Sequence, residues 1–277
     1  MQDSPNIEIE KVAGGFQFVD GLIWSRGGYL LAADVRQNEL YRIDQKARPQ
    51  PFKDHNGGVS GLAYDLQGRL YLCESVARRV SRMGKVGDTA APAEEFAAGF
   101  QGKKFNSPND IVVRRDGQVF FTDPAFGSAA DHRELDFNGI FHVNPKGEID
   151  VVAKWQTRPN GIALSADGKL LYVSDSDRHA VVAFDVGRNG ETSNPRDVIT
   201  KIAGVPGGIK TDVQGRLYVA ARGISIYSAA GKLERTLLEV ENLSNCAFGE
   251  ADFDYLFMSA RGNIFRANIG VKGALQY

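Results

Sequence analysis

Apolar and polar positions alternate along this chain in short bursts, and the bursts come in pairs. Gly161-Ile162-Ala163-Leu164 runs in, Asp167-Gly168 turns, and Leu170-Leu171-Tyr172-Val173 runs back. Alternating runs joined by Asp-Gly or Gln-Gly, as again at Asp116-Gly117, Gln67-Gly68 and Gln214-Gly215, read as β-hairpins. The pair recurs six times. Its first strand opens on a small or polar residue, at Asp20, Ser60, Asn109, Asn160, Gly207 and Asn245, and glycine follows in most copies. Successive openings lie 38 to 51 residues apart, a spacing that suits a four-stranded propeller blade, and six blades use up the chain. Helix-forming residues cluster only at 90–98, too short for a βα-barrel, which needs a helix after every strand. The expectation is an all-β fold, a six-bladed β-propeller of four-stranded antiparallel blades forming one domain over residues 1–277. Ile7 to Val12 alternates like a strand and is expected to complete the last blade, whose own strands come from Leu243 to Ala267.

A hairpin puts the start of its first strand and the end of its second on one rim. The six openings therefore ring one mouth of the central channel, joined by the second-strand ends Asp34, Glu74, Asp123, Asp175 and Arg222. A ring of Asp, Ser, Asn and Asn is a set of oxygen donors, the kind hard cations such as calcium prefer. Asparagine also serves as a plain strand-entry turn residue, so the pattern alone leaves both readings open.

Composition narrows the function classes. The net charge is -1, and Arg78-Arg79 and Lys103-Lys104 are isolated pairs, so no basic face for nucleic acid is expected. No apolar run reaches the roughly 20 residues of a membrane span. The compartment stays open between the cytoplasm and export with a leader already removed. Cys73 and Cys246 fall in blades that are not neighbours and read as buried thiols. Trp24 and Trp155 read as packing between blades, and His142 and His179 as strand or turn residues.

The segments NSPNDIVVRRDGQVFFTDPAFG, RPNGIALSADGKLLYVSDS, CESVARRV and NCAFGEADFDYLFMSARGNIFRA resemble the gluconolactonase/SMP-30 (regucalcin) family, nearest its bacterial gluconolactonases, over roughly residues 16 to 268. The resemblance implies a six-bladed propeller with one divalent cation at the mouth, usually calcium, with zinc or magnesium as alternatives, and hydrolysis of a small lactone. Asp20 stands where the family has a glutamate ligand, Asn109 and Asn160 match its two asparagines, and Ser60 replaces a third. The fifth-blade aspartate, a ligand and the presumed general base, is Gly207 here.

The expected metal ligands are thus Asp20, Asn109 and Asn160. Asp175 and His55 are candidates for the missing base, and Ser60, Asp123, His132 and Arg222 for substrate binding. On this reading Gly207→Asp should return a carboxylate beside the cation. The alternative is a propeller that has lost hydrolysis and binds a small polar ligand or a protein partner.

Overall fold

The structure is a computed structural model that describes residues 7–44, 48–54, 57–85, 93–240 and 243–275. Six four-stranded antiparallel sheets form a closed ring, the β-propeller that the repeat predicts. From the axis outward, blade 1 runs from Val19–Ser25 to Gln50–Asp54 and blade 2 from Val59–Tyr64 to Glu94–Ala97. Blade 3 runs from Ile111–Val113 to Ile149–Trp155, and blade 4 from Pro159–Leu164 to Thr192–Ile199. Blade 5 runs from Ile209–Thr211 to Leu233–Leu237. Blade 6 starts at Leu243–Gly249, and its outermost strand is Ile9–Gly14 from the other end of the chain. That strand pairs with Asn263–Asn268 in the register Ile9↔Ala267 to Gly14↔Asn263. The expected closure is present, and the edge of blade 6 is covered by the chain's own beginning.

Part of the helix-forming cluster is a strand. Glu94–Ala97 supplies the fourth strand of blade 2 and aligns Ala97 with Val80; tertiary pairing overrides a weak local propensity. Among the described residues the one helix is a single turn, Ala129–His132, inside the insert of blade 3.

Apolar clusters fill the wedges between blades. The largest joins Tyr71 and Cys73 of blade 2 to Phe121 and Phe141 of blade 3 and to Phe105 in the segment that enters blade 3, with Phe105 edge-on to Phe121 at 5.1 Å between ring centroids. Both tryptophans pack between blades: Trp24 stacks on Phe257 of blade 6 and Trp155 on Phe184 of blade 4. His142 is a core residue, stacked on Phe120 and hydrogen-bonded through Nε2 to Gln118; burial pushes its pKa down. His179 occupies a turn at φ 52, and both cysteines are free and buried.

The inner strands approach one another closely, and this explains the recurring glycine. Gly161 donates its N–H to the Gly207 carbonyl at 3.2 Å, and a Cβ on Gly161 would lie 2.4 Å from that oxygen. The equivalent positions are marked by a bond from the second strand: Ser174 Oγ accepts from Gly161 N, Thr122 Oγ1 from Asp110 N and Ser259 Oγ from Asn245 N. Asn245 therefore matches Gly161, and the sixth opening is Ser244, one residue before the position the sequence suggests. The misreading arose because Ser244-Asn245 lacks the glycine that marks the register elsewhere.

Below the mouth the channel is apolar, lined by Ile23, Ala63, Val112, Ala163 and Ala247, with Lys210 the charged exception. The C-terminal segment lies across its far end. Ala274 N bonds Thr211 O, the Leu275 carbonyl accepts from Arg115, and both residues border the channel cavity.

Candidate functional site at the propeller mouth

The six openings do converge. Asp20, Ser60, Asn109, Asn160, Gly207 and Ser244, one from each blade, border a cavity of about 1110 Å³ at the mouth. Asp20, Ser60, Asn160 and Ser244 are the second residues of their innermost strands, and Asn109 and Gly207 lie two residues ahead of theirs, so all six stand where an inner strand enters its blade.

Asp20 is the electrostatic centre. It is 9% exposed and accepts a hydrogen bond from Ser60 Oγ at 3.0 Å. Ser60 Oγ in turn accepts from Asn109 Nδ2 at 3.3 Å. Burial, reinforced by the nearby Asp110 carboxylate, raises the Asp20 pKa to about 7, against the pull of Ser60, Lys210 and Asn245. Asp110 sits one layer deeper, where most copies have glycine. It accepts the backbone N–H of Ile111 at 3.0 Å and of Ile162 at 3.2 Å, and faces Lys210 Nζ at 3.9 Å.

The resemblance implies a cation here, and the donor set can be tested on its chemistry. Asn109 spends its amide nitrogen on Ser60, and Asn160 spends its own on Ser176 Oγ at 3.1 Å. Neither amide oxygen accepts a hydrogen bond among the described residues. One carboxylate and two uncommitted amide oxygens facing one cavity fit a hard cation. Among the described residues no three His, Cys, Asp or Glu side chains gather as a metal-binding group, so one anion carries the charge. The fifth position cannot add a second. A Cβ on Gly207 would lie 2.3 Å from the Ser244 carbonyl oxygen, so an aspartate there requires the blade 6 backbone to move.

The other candidates are placed differently. Asp175 is fully buried; it accepts Thr157 Oγ1 at 2.6 Å and the backbone N–H groups of Asp177 and Arg178 at 3.1 and 3.0 Å. Asp123 is equally buried and accepts the N–H groups of Asn106 and Ser107 at 2.8 and 2.7 Å. Burial still raises its pKa to about 7. Asp34 grips Gln17 and Phe18 in the same way. These second-strand carboxylates anchor the segments entering their blades, and Asp175, Asp123 and Arg222 do not line the mouth cavity. His132 does line it, from the end of the single-turn helix. His55 lies outside the described residues.

Sequence reasoning missed Asp110 and Lys210. Asp110 was visible as Asn-Asp where other copies read Asn-Gly or Ser-Gly. Lys210 was visible as the only charge at the fourth position of an inner strand.

Comparison with known proteins bears on the family of the whole chain. The chain is 30% identical to a gluconolactonase of Zymomonas mobilis over 290 aligned positions, covering 93% of this chain and 80% of that protein. A crystal structure of a putative gluconolactonase superposes with a TM-score of 0.89 at 25% identity, covering 98% of this chain and 94% of the other. A gluconolactonase of Xanthomonas campestris superposes at 0.86 and 26% identity, covering 95% and 89%. Residues 18–262 match the SMP-30/Gluconolactonase/LRE-like region, and the chain belongs to that family.

Proposed function

We propose that this protein hydrolyses a small lactone at the propeller mouth and that a divalent cation, calcium by preference, assists it. The supporting observation is the convergence of Asp20, Asn109 and Asn160, with two uncommitted amide oxygens, on one cavity of a chain from a lactonase family. The three residues would hold the cation, which when bound would polarise the ester carbonyl. Ser60 keeps Asp20 Oδ2 oriented through its hydroxyl, and Asn109 fixes that hydroxyl in turn. Water adds to the carbonyl carbon, the ring C–O bond breaks, and the ring oxygen leaves as the hydroxyl of an open-chain hydroxy acid.

Hydrolysis also needs a proton acceptor. Asp175 is committed to its turn, so we assign the water's proton to an imidazole nitrogen of His132, which borders the cavity. We take residues 1–277 as one catalytic domain acting on a small molecule. Among the described residues no helix is long and apolar enough to cross a membrane.

The test is a pH-indicator assay over a lactone panel with and without calcium, paired with calorimetric titration of calcium into the parent protein and Asp20→Ala. Absence of turnover on every lactone overturns the hydrolase reading. Undiminished calcium binding by Asp20→Ala overturns the ligand assignment.

A further inference from the structure

The mouth has a polar floor and an apolar collar. The cavity that holds Asp20, Ser60, Asn109 and Asn160 is also bordered by Phe18 and Val35 beside the inner strands of blade 1, Val76 in the turn after the second strand of blade 2, Phe126 in the insert of blade 3, and Val205 in the segment leading into blade 5. Val76 and Val205 are 72% and 59% exposed, the two most exposed large apolar side chains among the described residues, and both face this one cavity. Single exposed valines are ordinary on a surface, whereas apolar groups gathered around a cavity mark a place where something apolar binds.

The collar is held in place. Val35 donates its backbone N–H to the Phe18 carbonyl, and Val76 donates its own to the Gly57 carbonyl, each at 3.0 Å. Arg36 lies over the Phe18 ring at 5.5 Å and Arg158 over the Phe126 ring at 4.9 Å. Several polar side chains of the wall are committed within the protein. Ser75 donates its hydroxyl to the Gly58 carbonyl at 2.7 Å, Ser244 donates to the Val19 carbonyl at 2.5 Å, and Arg78 donates to the Phe105 carbonyl and Glu134. A polyhydroxylated ring would have to give up water around its hydroxyls to lie against valine and phenylalanine, while an alkyl chain gains there.

We propose that the collar receives a linear alkyl substituent, so that the preferred substrate is an alkyl-substituted lactone whose carbonyl points to the floor and whose chain lies on Val76 and Val205. The lactone rests on the hydrolase reading above; the alkyl chain rests on the collar alone.

The test titrates cyclopentanones bearing a methyl, propyl or pentyl group at the α carbon into the full-length protein by calorimetry. These mimic the lactone ring and have no ester to cleave. Affinity should rise about threefold per methylene, roughly 80-fold from methyl to pentyl. Val76→Ser and Val205→Ser should each cut that gain about threefold, and Val213→Ser, at an exposed valine outside the mouth, should leave it unchanged. As substrates, γ-nonalactone should exceed gluconolactone about tenfold or more in kcat/KM. Affinity independent of chain length, a gain that survives both serine variants, or the reverse order of the two lactones overturns the proposal. An equal loss in Val213→Ser also overturns it, since the chain then binds apolar surface anywhere. Should one mouth variant fail to fold by circular dichroism, the other and the chain-length series on the parent decide. Chain-dependent ketone binding without turnover of any lactone would sink the hydrolase reading and leave the collar standing. Turnover of gluconolactone with flat ketone binding would do the reverse.

Discussion

Replacing Asp20 by asparagine should make the protein more stable at alkaline pH, although it removes the central acidic group of the site. Asp20 is raised from 3.8 to about 7 by burial and by Asp110, so the folded state prefers the neutral acid. The folded chain therefore holds a proton that the unfolded chain has released throughout the window from about pH 4 to pH 7. Stability falls as pH rises through that window and levels off above it. From pH 5 to pH 7 one proton across two pH units is worth about 3 kcal/mol, and at ~2–4 °C per kcal/mol the melting temperature should drop by roughly 6–12 °C through Asp20 alone. Asp123, also raised to about 7, contributes a slope of the same sign that the variant retains. The difference between the two melting curves therefore isolates Asp20. The asparagine keeps an oxygen for the Ser60 hydroxyl, so the geometry of the contact is preserved. The assay is thermal unfolding of parent and Asp20→Asn from pH 5 to pH 8.5. A second arm at pH 8 adds calcium, which at a hundredfold excess over its Kd should stabilise the parent by about 2.7 kcal/mol and the variant far less. Parallel pH curves would refute the placement of the buried charge. Equal calcium stabilisation would refute its role in cation binding.

The remaining expectations concern single contacts. Asn109→Ala and Asn160→Ala should each weaken calcium binding about tenfold or more by calorimetry, since each removes an uncommitted oxygen at the mouth; an unchanged Kd for both places the cation elsewhere. Gly207→Asp should destabilise the fold by about 1–3 kcal/mol in denaturant melts and give no gain in turnover, because its Cβ meets the Ser244 carbonyl at 2.3 Å; a stable, more active variant would show that this backbone yields. His132→Gln should lower kcat by about 10²–10⁴ if its imidazole takes the proton, and a kcat within about twofold of the parent removes it from the reaction. Deleting residues 1 to 14 strips the outer strand from blade 6 and exposes the Asn263–Asn268 edge, so light scattering should report aggregation; a monomeric truncation with an unchanged melting temperature would show that the pairing is dispensable.

The fold was legible because each blade repeats the same local instruction, an apolar hairpin with a turn pair, and six copies of a modest signal are strong together. The site was legible only in its first layer. Asp20, Ser60, Asn109 and Asn160 occupy the repeat position itself, so alignment of the copies finds them. Asp123 and Asp175 share a repeat position too, but the repeat does not say where a carboxylate turns, and both turn to the backbone of their own blade. Lys210 and Asp110 meet only through the ring, about a hundred residues apart in sequence, and no local pattern announces their 3.9 Å approach. The space at Gly207 was equally hidden, since the obstruction belongs to Ser244 in the following blade.

The C-terminal segment at the far end of the channel touches two blades that are not neighbours in the ring: Ala274 bonds the Thr211 carbonyl of blade 5, and the Leu275 carbonyl accepts from Arg115 of blade 3. It acts as a strap across the intervening blade, and a cut ahead of it would release blades 3 and 5 from each other while leaving the four strands of each sheet intact.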